Sequence, residues 1–389
     1  MAKKKKVVKL SKQRNKKLAK KIVKLIRIPI VIIAVLSALF LSARLLGNVA
    51  VSNVTDTLRE IKTTFTKGEG YPYSLDAFGF REATAIGGKP LVISEDSTKV
   101  LSSSAAEIYS MQLGSGDSKV VSKNGRALIY SNTSNEVILQ SRTEKLGSIK
   151  ESGTVVAAQL SKNGCIATSY TSDEYQSVLS VYNRYFEKTF QWNCSQERIS
   201  SIGLSKNGKS IAVAAVGTEN AEIYTRLLIF NAGSSEPVAD LMYRGTLFLN
   251  IIYTDSNKII AVGDNKTVLL DKKGDTVDEL VYSENSIISA SSDDAGNTVI
   301  CFEEFGGSKT AAVRFSKSGE RTFTLSLDEK PECVAVNGSK TAAVNGDEIV
   351  IYSSRGEENK KIQTGHPAAD IFWCSGTLYS VEGGQLCKY

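Results

Sequence analysis

The chain has 389 residues, 48 Lys/Arg against 41 Asp/Glu, and a single histidine, His366. One His excludes a His-rich metal site, and six Cys without a CxxC or Cys/His cluster exclude zinc and haem spacings. The net charge of +7 joins two unlike parts: residues 1–27 hold 13 Lys/Arg and no acid, and setting these and Arg44 aside leaves 34 Lys/Arg against 41 Asp/Glu. That acidic remainder argues against a nucleic-acid partner.

Residues 1–27 are expected to form a basic cytoplasmic tail. Residues 28–43 carry no charge, and continuing to Val51 gives a run that as helix spans roughly 36 Å, enough for a bilayer core. Residues 28–51 are therefore predicted to be a transmembrane signal-anchor helix, with Pro29 in its first turn and Arg44 reaching toward the outer headgroups. Basic flanks stay inside, which puts the N-terminus in the cytoplasm and the remainder outside a plasma membrane, as a single-pass protein. A cleaved signal peptide is the alternative, but the basic region is long and Asn48-Val49-Ala50 makes a poor cleavage site. Anionic lipid is the expected partner of the tail, at roughly 1 kcal/mol per basic residue near the surface.

Val51, Val54, Leu58, Ile61 and Phe65 then follow a 3-4-3-4 spacing. The pattern predicts an amphipathic juxtamembrane stalk over 52–70, lying on the head or on lipid. Read instead as a dimer seam, it is long enough only for weak self-association. The stalk breaks at Lys67-Gly68-Glu69-Gly70, and an extracytoplasmic head occupies 71–389.

The head is repetitive. Ser122-Lys123-Asn124-Gly125, Ser161-Lys162-Asn163-Gly164 and Ser205-Lys206-Asn207-Gly208 each precede an apolar run. Weaker copies stand at Gly87-Gly88, Asp255-Ser256-Asn257, Asp294-Ala295-Gly296, Asn337-Gly338 and Ser375-Gly376, spaced about 41 residues apart on average. Asn and Gly accept the positive φ that a tight hairpin needs. A second turn recurs out of phase at Asp271–Gly274, Ser316–Gly319 and Ser353–Gly356, with a shortened copy at Asn231-Ala232-Gly233. Two hairpin turns per repeat imply four strands, and four strands in 40–45 residues is the pattern of a propeller blade. The expected fold is all-β: a propeller of about eight four-stranded blades, or seven if the weak Gly87-Gly88 unit is not a blade.

These repeats resemble WD40-like and PQQ-like propeller blades. Gly365-His366 with Ser375-Gly376 is similar to the WD40 Gly-His opening and its hairpin, and Asp271–Gly274 to a PQQ-type Asp-x-x-Gly turn. No Trp-Asp dipeptide accompanies them. The whole layout resembles bacterial single-pass membrane proteins that carry an extracellular propeller domain.

Residues 292–298 fit the Ser-x-Asp-x-Gly-x-Thr Asp-box of sialidase-like propellers, where the motif is a turn staple remote from the active site. Asp293/Asp294 and Glu303/Glu304 could supply glycosidase carboxylates, against the simpler reading of solvated pairs on turns and strand ends. His366 has no Ser or Cys nucleophile motif near it, and Trp192 and Trp373 read as packing between blades. No repeat-phased set of acids, Arg or Trp converges from several blades in the sequence, so no catalytic, cofactor-binding or metal residue is assigned.

The expected function is a non-catalytic binding or scaffold module for a protein or cell-envelope partner. The alternatives are a propeller enzyme (a quinone-dependent dehydrogenase or glycan hydrolase) and an envelope assembly factor or structural spacer. Cys165 with Cys194, and Cys374 with Cys387, fall on non-adjacent strands about 9.6 Å apart, beyond disulfide reach, so free thiols are expected. The last unit supplies only three strands, 368–373, 377–381 and 385–389. The extended segment 71–75 is therefore predicted to pair with the last of these and clasp the ring, Pro72 being tolerable on an outermost strand.

Overall fold

Four short β-rich runs joined by tight turns pair most simply as an antiparallel meander, and each repeat of this chain does so. In the computed structural model, residues 37, 55–60, 68–75, 79–114, 116–283, 286–304, 309–327 and 329–389 are described. Residues 1–55 and 56–389 separate as two units, and the propeller is the second. It has eight four-stranded antiparallel sheets. Blades 1 to 7 span 80–112, 118–150, 155–194, 198–244, 248–281, 287–327 and 334–363. Blade 8 is built from 368–388 together with Tyr73–Ser74. The weak Gly87-Gly88 unit is a complete blade, which decides eight over seven.

First strands lie innermost: those of neighbouring blades pack on each other, and that of blade 8 packs on that of blade 1. Second strands such as Ile166–Tyr170 and Ile259–Gly263 are buried along their whole length. Both of their faces meet another blade, which is why they read as unbroken apolar runs. Fourth strands such as Glu358–Gln363 are mostly exposed and read as polar. The core is a series of inter-blade layers, as where Leu179 and Phe190 of blade 3 meet Val213 and Phe230 of blade 4.

The ring closes as the unpaired segment predicts. Tyr73 pairs with Leu386 and Ser74 with Gln385, and the Leu75 N–H donates to the Gly384 carbonyl at 2.9 Å. Ladder pairing covers two residues rather than the expected five, and Leu75 is buried in the layer between blades 8 and 1 beside Ala83, Phe372 and Leu386. All six cysteines are free thiols; Cys165 adjoins the second strand of its blade and Cys194 ends the fourth.

Alternation of strand direction sorts the connections. Turns between first and second strands, and between third and fourth, fall on one face, here the turn face. Connections between second and third strands, and the crossovers from blade to blade, fall on the opposite loop face. Every hairpin expected from sequence lies on the turn face. Residues 55–60 are helical, and Asp56, fully buried, accepts hydrogen bonds from Ser141 (2.8 Å) and Thr143 in the third–fourth turn of blade 2. Arg142 of that turn pairs with Glu60 at 3.1 Å and donates to the Gly87 carbonyl at 3.2 Å. This part of the expected stalk therefore lies on the turn face of blades 1 and 2. The tail expected over 1–27 lies outside the described residues, as does the span expected over 28–51 apart from Ser37. Among the described residues no helix is long and apolar enough to cross a membrane.

Candidate functional site

The two mouths of the central channel differ in construction. At the turn face, first–second turns from opposite sides of the ring meet. Asn124, held at φ 48°, donates its N–H from blade 2 to Asp294 Oδ2 in blade 6 at 2.9 Å. The Asn124 side chain donates to the Lys162 carbonyl at 2.8 Å, and Lys162 Nζ reaches Asp255 Oδ1 at 2.6 Å. Burial pulls the Lys123 ammonium below its ordinary pKa, an effect opposed by Asp294. Cations from blades 2 and 3 thus meet acids from blades 5 and 6, so the bridge is close to charge-balanced. A chamber of about 220 Å³ lies against it, lined by inner-strand residues including Val120, Gln159, Leu204 and Asn250.

The expectation concerned acids, Arg or Trp; what the ring brings together is a phased set of Lys, Asn and Asp. The signal was in the turns themselves. Lys123, Lys162, Asp255 and Asp294 occupy the same hairpin in different repeats, and equal phase in a propeller means equal distance from the axis. Asp294 is exposed, as expected for an acid on a turn, and both aspartates also have partners. Asp293 Oδ1 accepts the N–H groups of Ala295 (2.9 Å) and Asn297 (3.0 Å), and Oδ2 accepts the Gly338 N–H of blade 7 at 2.8 Å. Asp293 staples the turn to blade 7, while Asp294, the aspartate at the motif's third position, reaches across the ring. Glu303 takes an ion pair from Lys330 at 2.7 Å. His366 lies in the crossover into blade 8, where its N–H donates to Glu382 at 3.1 Å and its carbonyl accepts from Thr364 at 2.7 Å. Trp192 packs on Phe230 between blades 3 and 4, and Trp373 lies between blades 7 and 8 with its indole N–H donating to the Ala335 carbonyl at 3.4 Å.

The loop-face mouth has a different pattern, one the sequence reading missed. In six blades the ladder between first and second strands slips near the start of the inner strand, at its second residue in five and its third in blade 4. The residues set out of register are Arg81, Val156, Ser200, Leu249, Ile288 and Ala369. A bulge adds one residue to a strand and re-aims its end, so each inner strand begins at this mouth with a residue outside the regular pairing. Val156 and Leu249 are 40% and 50% exposed, well above the usual burial of inner-strand apolar side chains. A bulge leaves only a one-residue break in the two-residue alternation, too faint to find without the partner strand.

Just inside this mouth, Glu82 of blade 1 and Asp370 of blade 8 follow their bulges on neighbouring inner strands. Burial, and then the Asp370 charge, push the Glu82 carboxyl up to about 7. Burial pushes Asp370 up to about 6, opposed by the N–H of Ile371.

Between blades 3 and 4 the loop face carries a cleft of about 330 Å³ whose lining includes Val156, Asp173, Glu174, Tyr175 and Arg198. Blade 4, whose first strand lines this cleft through Arg198 and Ile199, is unusual. The second and third strands of blade 4, Ser210–Glu219 and Glu222–Asn231, have 10 residues each, while second and third strands in the other blades have four to six. The excess projects from the loop face and turns at Asn220-Ala221, both at positive φ (51° and 64°). Its base is fixed by buried Glu197, which accepts from Tyr224 (3.2 Å), Arg226 (3.0 Å) and the Cys194 thiol (3.1 Å). Among the described residues no group of three or more His, Cys, Asp or Glu has metal-binding geometry.

A family of unknown function, DUF5711, matches residues 59–385. No curated protein matches the chain. Among solved structures, BamB from Moraxella catarrhalis superposes with a TM-score of 0.50 at 11% identity, over 79% of this chain and 96% of that one. Sqt1 from Saccharomyces cerevisiae superposes with a TM-score of 0.56 at 9% identity, over 83% of this chain and 100% of that one. At these identities the likeness is one of fold, and it agrees with the expected WD40-like and PQQ-like propeller.

Proposed function

The chain belongs to the DUF5711 family, and from the unequal mouths of its propeller we propose a non-catalytic scaffold, anchored in a membrane by residues 28–51, that binds a protein partner on its loop face. The supporting observation is the asymmetry. The turn face is bridged across the axis by Asn124–Asp294 and covered in part by the helical residues 55–60. The loop face carries exposed apolar side chains at inner-strand ends and, among the described residues, the one hairpin whose strands exceed the common length. Loops carried on a rigid scaffold are where binding surfaces usually form.

The basic residues of 1–27 would sit at anionic lipid on the cytoplasmic side, and the head outside. Two measurements on the full-length protein test this. Protease added to intact, wall-stripped cells should remove the head, and full-length protein recovered afterwards would refute the topology if the head is cleavable in detergent. Photo-crosslinking residues placed singly on the two faces in cells should capture a protein from the loop face and little from the turn face. Equal capture from both faces, or none from either, would refute the scaffold reading.

A further inference from the structure

The geometry points to the cleft between blades 3 and 4 as the docking groove for an extended, Lys/Arg-bearing segment of a partner protein, an assignment that rests on the scaffold reading. Three features of blades 3 and 4 support it. The cleft offers open apolar surface in Val156, 40% exposed, and half-buried Tyr175, and Ile223 on the projecting hairpin of blade 4 is 49% exposed. Apolar side chains this exposed on otherwise packed elements mark contact sites when they cluster.

The projecting hairpin of blade 4 offers an unpaired backbone edge. Pairing of the second strand of blade 4 with the first ends at Val216, whereas its pairing with the third continues through Gly217 and Thr218 to Glu219. Gly217–Glu219 therefore keep one side of the ladder open, and such an edge recruits an added strand.

The charge around the groove is predominantly acidic. Asp173 and Glu174 line it together with the exposed Arg198, and Glu219 and Glu222 stand at the tip of the blade 4 hairpin, where Arg244 answers them at 2.5 and 3.9 Å. Across the described loop-face connections the acids Glu95, Asp96, Asp117, Asp264 and Asp347 recur, while Lys309 and Lys330 are the basic residues. The turn-face connections mix both signs, as in Asp271-Lys272-Lys273 and Ser316-Lys317. A segment that alternates apolar and basic side chains would satisfy all three features, placing its apolar side chains over Val156 and Ile223 and its cations toward Asp173 and Glu174. Complementary charge also speeds encounter and rejects acidic competitors.

The test uses the full chain in detergent and three labelled twelve-residue peptides: alternating Lys-Val, alternating Lys-Gly, and alternating Glu-Val. Lys-Val should bind saturably and weaken with salt, Lys-Gly should bind at least about tenfold more weakly, a step of 1.4 kcal/mol, and Glu-Val should not bind. The double substitution Asp173→Lys/Glu174→Lys and the single substitution Val156→Asp should each weaken Lys-Val about tenfold or more. Asp264→Lys/Asp347→Lys, the same charge change elsewhere on the loop face, should leave it within about twofold. Equal binding of Lys-Val and Lys-Gly, equal loss from both double substitutions, or no binding of Lys-Val would overturn the groove. Crosslinking separates this failure from that of the scaffold reading. Capture from Asp264 or Asp347 but not from Val156 or Ile223 overturns the groove and leaves the scaffold standing, and no capture from any loop-face position overturns both.

Discussion

Removing the clasp should loosen the whole ring rather than fray one end. Leu386 is fully buried in the layer formed by Leu75, Phe372, Tyr379 and Val381 of blade 8 with Ala83, Val92 and Leu101 of blade 1. Its truncation in Leu386→Ala leaves a cavity at the seam, and such changes cost about 2–5 kcal/mol. With unfolding entropy near 2.1 cal/mol/K per residue, a loss of about 3 kcal/mol lowers the Tm of a head this long by about 4 °C. Deleting residues 386–389 should cost more. It also removes the pairing with Tyr73, the Lys388 bond to the Ser103 carbonyl of blade 1 (2.9 Å), and the Tyr389 bond to Glu382 (2.6 Å). Calorimetry gives the Tm, and hydrogen exchange shows where protection is lost. The expected result for the deletion is one transition at lower temperature, with protection reduced in blades far from the seam. Loss confined to blade 8, or an unchanged Tm, would refute the closed ring as the cooperative unit. Ile149→Ala on the fourth strand of blade 2 supplies the comparison: a buried outer-strand residue in the layer between blades 2 and 3, away from the seam.

Glu82→Gln tests the buried carboxyl. Its folded-state pKa, raised from 4.5 to about 7, lies above the unfolded value, so the ionisation of Glu82 subtracts stability as pH rises from about 4.5 to about 7. At 1.36 kcal/mol per unit this is at most about 3 kcal/mol; the isosteric amide should raise Tm at pH 8 and flatten the decline above pH 4.5, and an unchanged pH profile would refute the shift. Asp294→Ala removes the cross-ring acceptor, costing at most about 1 kcal/mol because the contact is exposed, and should speed exchange of the Asn124 amide in particular; unaltered exchange there would mean the bridge is not formed in solution. Alkylation before reduction should add six adducts once the head is denatured, and Cys301, buried and pushed up to about 12, should react slowly in the native state at pH 8. Fewer than six would indicate a disulfide and refute the strand placement of the cysteines.

The blades were legible because their turns are chemically explicit. Gly164, Gly208 and Gly274 adopt positive φ, and a run such as Ile211–Ala215 between two such turns has few alternatives to a buried strand. Closure was legible for a related reason: three strands at the end and one spare segment at the start leave one simple way to complete a sheet. The bulges were not legible, since Val155-Val156-Ala157 reads as an ordinary apolar run and only the slip against Tyr170 and Ser169 reveals the extra residue. The bridge was legible in principle and passed over, because Lys162 and Asp255 lie 93 residues apart and only ring geometry brings them within 2.6 Å. The long hairpin was also written in the sequence. Eleven residues separate Ala215 from Leu227, with Gly217 and Asn220-Ala221 between them, yet an extra turn there passes for loop until the strands on either side are seen to pair.

Parity gives the two faces their different chemistry. In a four-stranded meander the first and third turns are bound to fall on one face, so a repeat that relies on short Asn-Gly and Ser-x-x-Gly hairpins puts most of its positive-φ turns there. An eight-bladed ring leaves room at its axis, and here the first turns fill it with polar groups: Asn124 and Asp294 belong to blades 2 and 6, four apart, and can meet only across the centre. A contact between opposite blades resists ovalisation of the ring in a way that contacts between neighbours do not. The loop face then carries the variation, with bulges that re-aim inner-strand ends and one hairpin fixed at its root by Glu197 but free at its edge. A partner bound on that face would meet strands whose far ends are braced across the axis. It could therefore displace the hairpin tip at Asn220-Ala221 without disturbing the ring beneath it.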